Sequence, residues 1–559
     1  MAETRITELL ERWKRQKAAR GQWPQHWEDL ARVMLSRRLG FTSDVQPGAH
    51  RVDELFDGTA MQAARGLANA VGGMLRPEGE PFFFLKTADD ADQTTDEARD
   101  WLSATEDIMR EAFDDPRSRF RQATGEVDLD LVVLGTGMLF VGELVGQGQL
   151  LFLSVPLHDA LPYFSETGNV EGMFRARKLT LRQAEHLWGR EQLSEGLRDK
   201  LANDKFDEKA EFLFVTTPRD EGRADATLAR NLPIAQVVIE VEAKHEVVVS
   251  GFHEFPYVVA RWDTSSGEDY GRSPGMIALP DANTSQAIGE TMLVAGQRAA
   301  DPPLLAPSDA FLNAPHTYPG GIATYEAEAV RDLGANPIRE LSTGGSFPLT
   351  QGIQQDTREQ IRTALLRNVF NLPAAGDARM TATEVIARQK EFIREMGPVF
   401  GRFETDYTAP MVERVFRIML RAGAFAQIPD ALSGKIVRIE YESPVKKIRE
   451  QTAAMGARQW VAGQIELATS TGRPDILDIV DFDAYGRFAA EATAIPHQMV
   501  NGSEAVEALR QQRAEQQRQA QQAQAVEQAA RLADTVAGAA DKAGLTGGKG
   551  TDDGGQRAA

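Results

Sequence analysis

The sequence of 559 residues contains no cysteine. That absence excludes a disulfide framework, a thiolate metal site and a cysteine nucleophile. Long apolar runs are missing too: the longest uncharged one, Leu131 to Gly142, is shorter than the ~18 residues that a spanning helix needs. The polar segment Met1 to Gln25 also lacks the apolar core of a signal peptide. We therefore expect no membrane insertion by this chain.

Basic residues are fewer than acidic residues in this sequence. The chain has 62 basic and 82 acidic side chains, which give a formal net charge of −20. A protein that reads nucleic-acid sequence usually carries a basic surface, so this function class is disfavoured. An acidic surface suits a passage through which nucleic acid slides without sticking, because like charges repel. The plain alternative is a soluble acidic protein.

Sequence motifs of the common catalytic sites are absent. No G-x-x-x-x-G-K-[ST] phosphate loop occurs, and Gly547 to Gly550 lacks its spacing. Gly135 and Gly137 lack the third glycine of a dinucleotide-binding turn, which favours an ordinary turn next to a strand. The eight histidines form no H-E-x-x-H pair, and no G-x-S-x-G elbow is present. We expect no cofactor and no resident metal.

Two clusters of aspartates are the remaining candidates for chemistry. Asp128 and Asp130 precede an apolar segment that we predict to be a strand. The second cluster lies near the C-terminal end and consists of Asp475, Asp478, Asp481 and Asp483. A two-metal nuclease needs such carboxylates, because they bridge its two cations. A solvated charged surface or helix caps are the favoured interpretation, since neither cluster has a glutamate or lysine partner at a recognisable spacing.

The first half of the chain alternates between helix and strand patterns. Apolar spacing predicts helices over Ile6 to Met34, with a break at Pro24, and over Leu55 to Leu75 and Asp96 to Phe113. Strands are predicted at Pro81 to Leu85 and within residues 129–155 and 210–262. The fold class is therefore α+β.

The middle of the chain predicts two helices around an insertion. The helices are Pro280 to Arg298 and Leu349 to Phe370, and the proline-rich stretch Pro302 to Pro348 between them is too long for a structureless loop. We predict a small β-containing insertion. A long helix follows from Ala382 to about Ala422, with kinks at Pro398 and Pro410.

The C-terminal part is predicted to be helical. Helices are expected at 446–467, 488–494 and 503–537. The last of these is rich in glutamine and alanine, and it either bundles with copies of itself or forms a partly disordered tail. Residues 545–559 are predicted to be disordered.

Several of these stretches together resemble the portal, or head-to-tail connector, proteins of short-tailed (podovirus-type) bacteriophages. The resemblance is carried by Leu55-Phe-Asp-Gly-Thr-Ala60, by Pro81-Phe-Phe-Phe-Leu85 and by Arg379-Met-Thr-Ala-Thr-Glu-Val385. Their order, the insertion between two helices and the C-terminal helix agree with that family's layout. The resemblance covers roughly residues 1 to 530.

The resemblance implies the phage portal fold, with wing, two-helix stem, clip and crown, assembling into a ring with a central channel. The implied parts are the wing (1–280 and 381–460), the stem helices (281–301 and 348–371), the clip (302–347), the tunnel loop (372–380), the crown with a C-terminal helical barrel (461–540) and a disordered tail (541–559).

The resemblance also implies a function and partners. About twelve copies would form a homo-oligomeric ring at one capsid vertex, through which double-stranded DNA passes without sequence specificity. The implied protein partners are the major capsid protein, the scaffolding protein, the terminase that drives packaging and the tail adaptors. The chain would be made in the bacterial host cytoplasm and would reside in the virion as a structural protein, not an enzyme.

Site residues follow from the same resemblance. The tunnel loop contributes Leu372, Pro373, Gly376, Asp377, Arg379 and Met380 to the DNA channel. The clip, which contacts the motor and later the tail adaptor, contributes Pro303, Phe311, Tyr318, Tyr325, Arg331 and Arg339. The stem arginines, which face either the channel or a neighbouring subunit, are Arg298, Arg358, Arg362 and Arg367.

Two other interpretations are retained for comparison. One is a metal-dependent nuclease or another DNA-packaging enzyme that uses the cluster from Asp475 to Asp483. The other is a cytosolic coiled-coil scaffold built around the C-terminal helix, which does not explain the order of helix, insertion, helix and loop.

Overall fold

The computed structural model describes residues 2–42, 55–87, 96–144, 148–219, 228–300, 304–305, 339–340, 347–366, 394, 396–432, 437–441, 444–492 and 499–542. The chain divides into two compact units, Met1–Ile448 and Arg449–Ala559. No helix among the residues described is long and apolar enough to cross a membrane.

Helices supply the frame of both units. They are α1 (Ala2–Ala19), α2 (Trp23–Met34), α3 (Thr59–Leu75), α4 (Asp96–Asp114), α5 (Phe120–Leu134), α6 (Leu181–Trp188), α7 (Glu195–Ala202), α8 (Pro274–Ala300), α9 (Phe347–Ala364), α10 (Ala409–Arg421), α11 (Pro444–Thr471), α12 (Phe482–Ala492) and α13 (Ser503–Lys542).

The strands form antiparallel sheets in the first unit. They are β1 (Phe83–Thr87), β2 (Thr136–Leu144), β3 (Gln149–Ser154), β4 (Ala160–Phe164), β5 (Val170–Thr180), β6 (Lys209–Pro218), β7 (Ile234–Glu240), β8 (His245–Phe252), β9 (Tyr257–Arg261), β10 (Leu304–Leu305), β11 (Arg339–Glu340) and β12 (Val437–Tyr441). The largest sheet has the order β4-β5-β6-β7-β8, and a smaller one has the order β3-β2-β9.

Two separate apolar clusters cover the faces of the five-stranded sheet. On one face Ile6 and Leu10 of α1 pack with β-strand residues such as Phe174 and Val237. On the other face the short helices α6 and α7 pack with Phe212 and Val238. Since side chains alternate between the two faces of a strand, both faces of this sheet are buried, and the hydrophobic β-strands predicted within 210–262 are confirmed.

The main core is built around α5, where the sequence prediction was wrong. Residues 129–134 lie in a helix, not in a strand, and the strand β2 begins only at Thr136. The alternation Asp128-Leu-Asp-Leu resembles a half-buried strand, but α5 is buried on every side from Val127 to Leu134. The helix ends at Gly135, whose φ of +80° allows the chain to turn directly into β2. Gly135 therefore belongs to a helix-to-strand turn.

Several predicted helices are confirmed with small shifts at their ends. The predicted break near Pro24 lies at residues 20–22, and Pro24 itself occupies the first turn of α2, where a missing N–H costs nothing. The helices predicted from Asp96, Leu349 and Ser503 correspond to α4, α9 and α13. The helix predicted through Pro410 is interrupted by a π-helical turn, Glu404–Thr408, and Pro410 itself occupies the first turn of α10, so a kink at Pro410 stays a prediction. The π-helical turn is where the backbone hydrogen-bond pattern changes register.

The predicted insertion has β-paired ends. Leu304 and Leu305 of β10 pair with Glu340 and Arg339 of β11 in antiparallel register. The rest of the insertion, the predicted tunnel loop, the start of the helix predicted from Ala382 and the predicted disordered tail from 545 lie outside the described residues.

Candidate functional site

The candidate site is the helical hairpin that carries the insertion. Helices α8 and α9 pack against each other, and both also contact α3. The buried side of α9 is formed by Gln354, Thr357 and Ile361, and Leu365, directly after the helix, is buried as well. On α8, the second half beyond Gln286 carries mostly exposed and half-buried side chains. The hairpin is therefore anchored at one end.

That anchor is an aspartate from the segment that precedes α3. Asp57 has a side chain only 3% exposed, and it accepts hydrogen bonds from the Thr59 hydroxyl at 2.6 Å and the Thr59 amide at 2.9 Å. The Ser285 hydroxyl of α8 donates to its Oδ2 atom, and so does Nε of Arg358 on α9 at 2.9 Å. One carboxylate thus joins α3, α8 and α9, and we call this arrangement the Asp57 clamp.

The electrostatics of the clamp favour an ionised carboxylate. Burial alone would raise the pKa of Asp57, but hydrogen bonds from Ser285, Thr59 and Arg358 outweigh it and lower the pKa to about 2. The clamp is therefore fully charged at neutral pH.

The backbone beside Asp57 is seated on α8 as well. The Gln286 side chain accepts from the amides of Phe56 at 2.7 Å and Asp57 at 2.9 Å, and it donates to the Asp57 carbonyl at 2.6 Å. One turn further along α8, a Cβ atom on Gly289 would lie 3.0 Å from Cβ of Phe56. Gly289 therefore allows the close approach of the segment to the helix.

Sequence reasoning identified the segment Leu55 to Ala60 as a motif but missed the clamp. Its partners Ser285 and Arg358 lie 228 and 301 residues away along the chain. The only local signal was Asp57 followed two residues later by Thr59, a pattern typical of an aspartate that caps its own turn.

The predicted stem arginines have different surroundings. Arg358 belongs to the clamp and pairs within its own chain. Arg362 pairs with Glu359, three residues before it on the same helix. Arg298 is exposed in the last turn of α8 and makes no ion pair with a residue that the structure describes. Arg367 lies outside the described residues. Which of these side chains face the channel stays a prediction.

Most residues predicted for the clip and the tunnel loop lie outside the described residues. Of the clip residues, Arg339 is the exception, and its backbone pairs with Leu305. The predicted clip and tunnel-loop residues that lie outside the described part of the chain are Pro303, Phe311, Tyr318, Tyr325, Arg331, Leu372, Pro373, Gly376, Asp377, Arg379 and Met380.

The first aspartate cluster has a structural explanation that neither interpretation anticipated. Asp130 is 1% exposed and accepts two hydrogen bonds from Arg38, from Nε at 3.0 Å and from Nη2 at 2.9 Å. Asp128 is 2% exposed and pairs with Arg76 at the end of α3. These carboxylates are neither a solvated surface nor a metal pair, because each one pairs with a guanidinium that is largely buried, 12% exposed for Arg38 and 7% for Arg76.

The second cluster is exposed, as its favoured interpretation required. Asp481 accepts hydrogen bonds from the amides of Asp483 and Ala484 at the start of α12, so it acts as a helix cap. Asp475 pairs with Arg473, and Asp483 forms two bonds with Arg510 of α13 at 2.6 and 2.7 Å. Among the residues described, no group of three or more such side chains is placed to hold a metal ion.

Comparison with known proteins identifies the family. The family model described as "Bacteriophage head to tail connecting protein" matches residues 6–500. The chain belongs to this family. It is therefore a structural protein of a phage virion, and the resemblance seen in the sequence is confirmed; nothing supports the nuclease interpretation.

Two curated relatives extend over nearly the whole chain. The portal protein of Salmonella phage epsilon15 is 28% identical over 545 residues, which cover 96% of each chain. The probable portal protein of Bordetella phage BPP-1 is 26% identical over 526 residues, or 91% of each chain. A chain from the structure titled "Virion of native gene transfer agent (GTA) particle" is 12% identical with a TM-score of 0.34, covering 73% of this chain and 86% of that one.

Proposed function

We propose that copies of this chain form a ring at one vertex of the phage head, and that double-stranded DNA is packaged and ejected through the channel of that ring. The observation that carries the proposal is the α8–α9 hairpin, whose two helices flank an insertion with paired ends and are joined to the body by the Asp57 clamp. A ring of such stalks closes when each subunit uses two different surfaces. The net charge of −20 favours passage of DNA without sequence-specific binding.

In this proposal α8 and α9 are the stem and residues 302–347 are the clip. The tunnel loop, 372–380, lies at the DNA, where Arg379 touches phosphates transiently. Residues 1–280 and 381–460 form the wing, and residues 461–540 form the crown. The ring contains about twelve copies, and its surfaces bind the capsid and scaffolding proteins, the terminase and then the tail adaptors.

The primary test is the mass and shape of the purified protein, by light scattering and negative-stain imaging. We expect a ring with a central hole and a mass of about twelve subunits. A monomer that stays monomeric when the capsid and scaffolding proteins are supplied would contradict the proposal.

A deletion separates the channel from ring assembly. Removal of residues 372–380 is expected to leave rings intact and to impair packaging or retention of DNA. Truncation after Gly502 is the matched control, and it is expected to leave the core ring standing with its channel unchanged. Loss of rings on deletion of 372–380 would show that this segment is part of the subunit contact, not a channel loop.

A further inference from the structure

Helix α11 carries an apolar pattern that its own chain does not use. Within the second unit, Val461 and Ala468 of this helix are buried. They lie seven residues apart, so they share one side of the helix, because seven residues make almost two full turns. This side is where α11 meets its own chain.

The two flanks beside that buried side are apolar and exposed. Trp460 and Leu467, each one residue before a buried position, are 48% and 50% exposed. On the opposite flank, Ala462 follows Val461 directly, and Met455, seven residues before Ala462, is 59% exposed. The back of the helix is polar, with Gln459 and Glu466. Apolar residues therefore occur on three of the four sides of α11, mixed with the exposed Arg458 and Thr469 on the Met455 flank.

Both flanks have features that fit a neighbouring helix. Gly456 and Gly463 lie on the same flank as Trp460, and a Cβ atom at either would meet nothing within 4 Å. The flank therefore has two hollows on either side of a projecting indole. On the Met455 flank, Arg458 is exposed and makes no ion pair with a described residue. A guanidinium in this position suits the face of an indole from another chain.

The presence of apolar residues on two flanks of α11 indicates which kind of partner packs against this helix. A foreign partner or a two-fold dimer would use one flank and leave the other in water, because a two-fold contact repeats the same surface. Two different flanks on opposite sides of one helix match a head-to-tail arrangement, in which each copy has a neighbour on both sides. Helix α11 carries a further exposed apolar side chain, Ile465, four residues after Val461 and toward the Met455 flank, and the second unit also leaves Ile479 and Phe482 exposed.

We propose that α11 is an inter-subunit contact, in which the Trp460–Leu467 flank of one copy packs against the Met455–Ala462 flank of the next. The inference rests on the proposed ring and adds residues through which adjacent subunits touch, on a helix that runs from the proposed wing into the proposed crown. Trp460 is its central anchor, since a large aromatic side chain in a small-residue surround is the usual hot spot of an interface.

The absence of cysteine makes a direct test possible in the full-length chain. Double variants combine Leu467→Cys, which keeps the Trp460 anchor, with Met455→Cys, Ala462→Cys or Ile465→Cys. The paired positions lie on opposite flanks of one helix, so a disulfide between them within one copy is geometrically excluded. We expect at least one variant to give a covalent ladder of subunits on non-reducing gels after mild oxidation. The control variant, Gln459→Cys with Glu466→Cys on the polar back, is expected to stay uncrosslinked.

Negative-stain imaging of the same samples separates this inference from the proposed function. Intact rings without a ladder in any of the three variants would overturn the α11 contact and leave the ring proposal standing. The absence of rings from the cysteine-free parent would overturn both. As a second measurement, Trp460→Ala is expected to raise the protein concentration at which rings dissociate by at least about tenfold, while Gln459→Ala leaves it unchanged. Equal values for the two variants would also overturn the contact.

Discussion

Replacement of Asp57 by asparagine tests whether the clamp stabilises the first unit through its charge. The pKa of this carboxyl is about 2 in the folded chain, against an ordinary value of 3.8. A difference of nearly two pKa units corresponds to about 2 kcal/mol of stability at neutral pH. We expect Asp57→Asn to lower the free energy of unfolding by that amount, since Ser285 and Thr59 can still donate to the amide oxygen but no longer to a charge.

The pH dependence has a definite sign. Because the folded pKa is lowered, the contribution is fully present above pH 3.8 and is lost as the pH falls toward 2. The difference between the parent protein and Asp57→Asn is therefore expected to be constant from pH 5 to pH 8 and to shrink below pH 4. Urea unfolding followed by tryptophan fluorescence measures it, at one fixed protein concentration because assembly stabilises the folded state.

A double-mutant cycle with Arg358 assigns the source of this energy. The Arg358 side chain is 36% exposed, so its charge is partly screened and its coupling to Asp57 is expected to be below about 1 kcal/mol. Arg362→Gln is the matched control, because it breaks an exposed pair on the same helix and is expected to cost under about 0.5 kcal/mol. A loss below about 0.5 kcal/mol for Asp57→Asn at pH 7 would refute the assignment.

Three further outcomes follow from other described contacts. Burial raises the pKa of Glu106 to about 7, so the ionised side chain destabilises the folded state at high pH. Glu106→Gln is therefore expected to stabilise the protein by about 3 kcal/mol at pH 8 and to have almost no effect at pH 4.5, as measured by urea unfolding at both pH values. Asp130→Asn removes the buried carboxylate that faces Arg38 and leaves only Glu126, whose side chain is 33% exposed, so it is expected to cost about 2 kcal/mol, whereas the exposed control Asp475→Asn changes stability by less than about 0.5 kcal/mol. Plasmid DNA incubated with magnesium or manganese is expected to stay uncut by the parent protein and by Asp478→Asn alike; cleavage lost in the variant would revive the nuclease interpretation.

Local patterns in the sequence predict the elements that are repetitive and amphipathic. Helix α4 is predicted to end at Phe113 and ends at Asp114, because its apolar positions recur at helical spacing over the whole length. Helix α5 could not be predicted in this way. Because it is buried on all sides, its sequence lacks the alternation of polar and apolar faces that reveals the 3.6-residue period of a helix.

Ion pairs between residues that are far apart in the sequence cannot be predicted from local sequence patterns. The alternation of aspartate and leucine in α5 is explained only by Arg38 and Arg76, which lie 92 and 52 residues away from their partners. Asp57 presents the same difficulty, because a single aspartate in a short motif does not reveal that two helices from the middle of the chain converge on it. The Asp57 clamp could therefore not be predicted from the sequence, whereas the two helices of the hairpin that it holds could be.

Helix α3 connects the hairpin to the core, and it is fixed at both ends. Asp57 lies two residues before its first residue and binds α8 and α9, while Arg76 lies directly after its last residue and binds Asp128 in α5. A helix of this length spans about 25 Å, so a displacement of the hairpin is passed to the core through one rigid element.

The close contact between α8 and the segment before α3 can be tested by substituting two glycines of α8. A methyl group on Gly289 would meet Cβ of Phe56 at 3.0 Å, whereas one on Gly296 would meet nothing within 4 Å. Gly289→Ala is expected to lower stability by about 1 kcal/mol, because the segment before α3 must shift away from α8. Gly296→Ala is expected to raise stability by up to about 1 kcal/mol, through helix propensity alone. Equal gains for both variants in urea unfolding would show that α8 and the segment are not in close contact, and the connection through α3 would then rest on Ser285 and Arg358 alone.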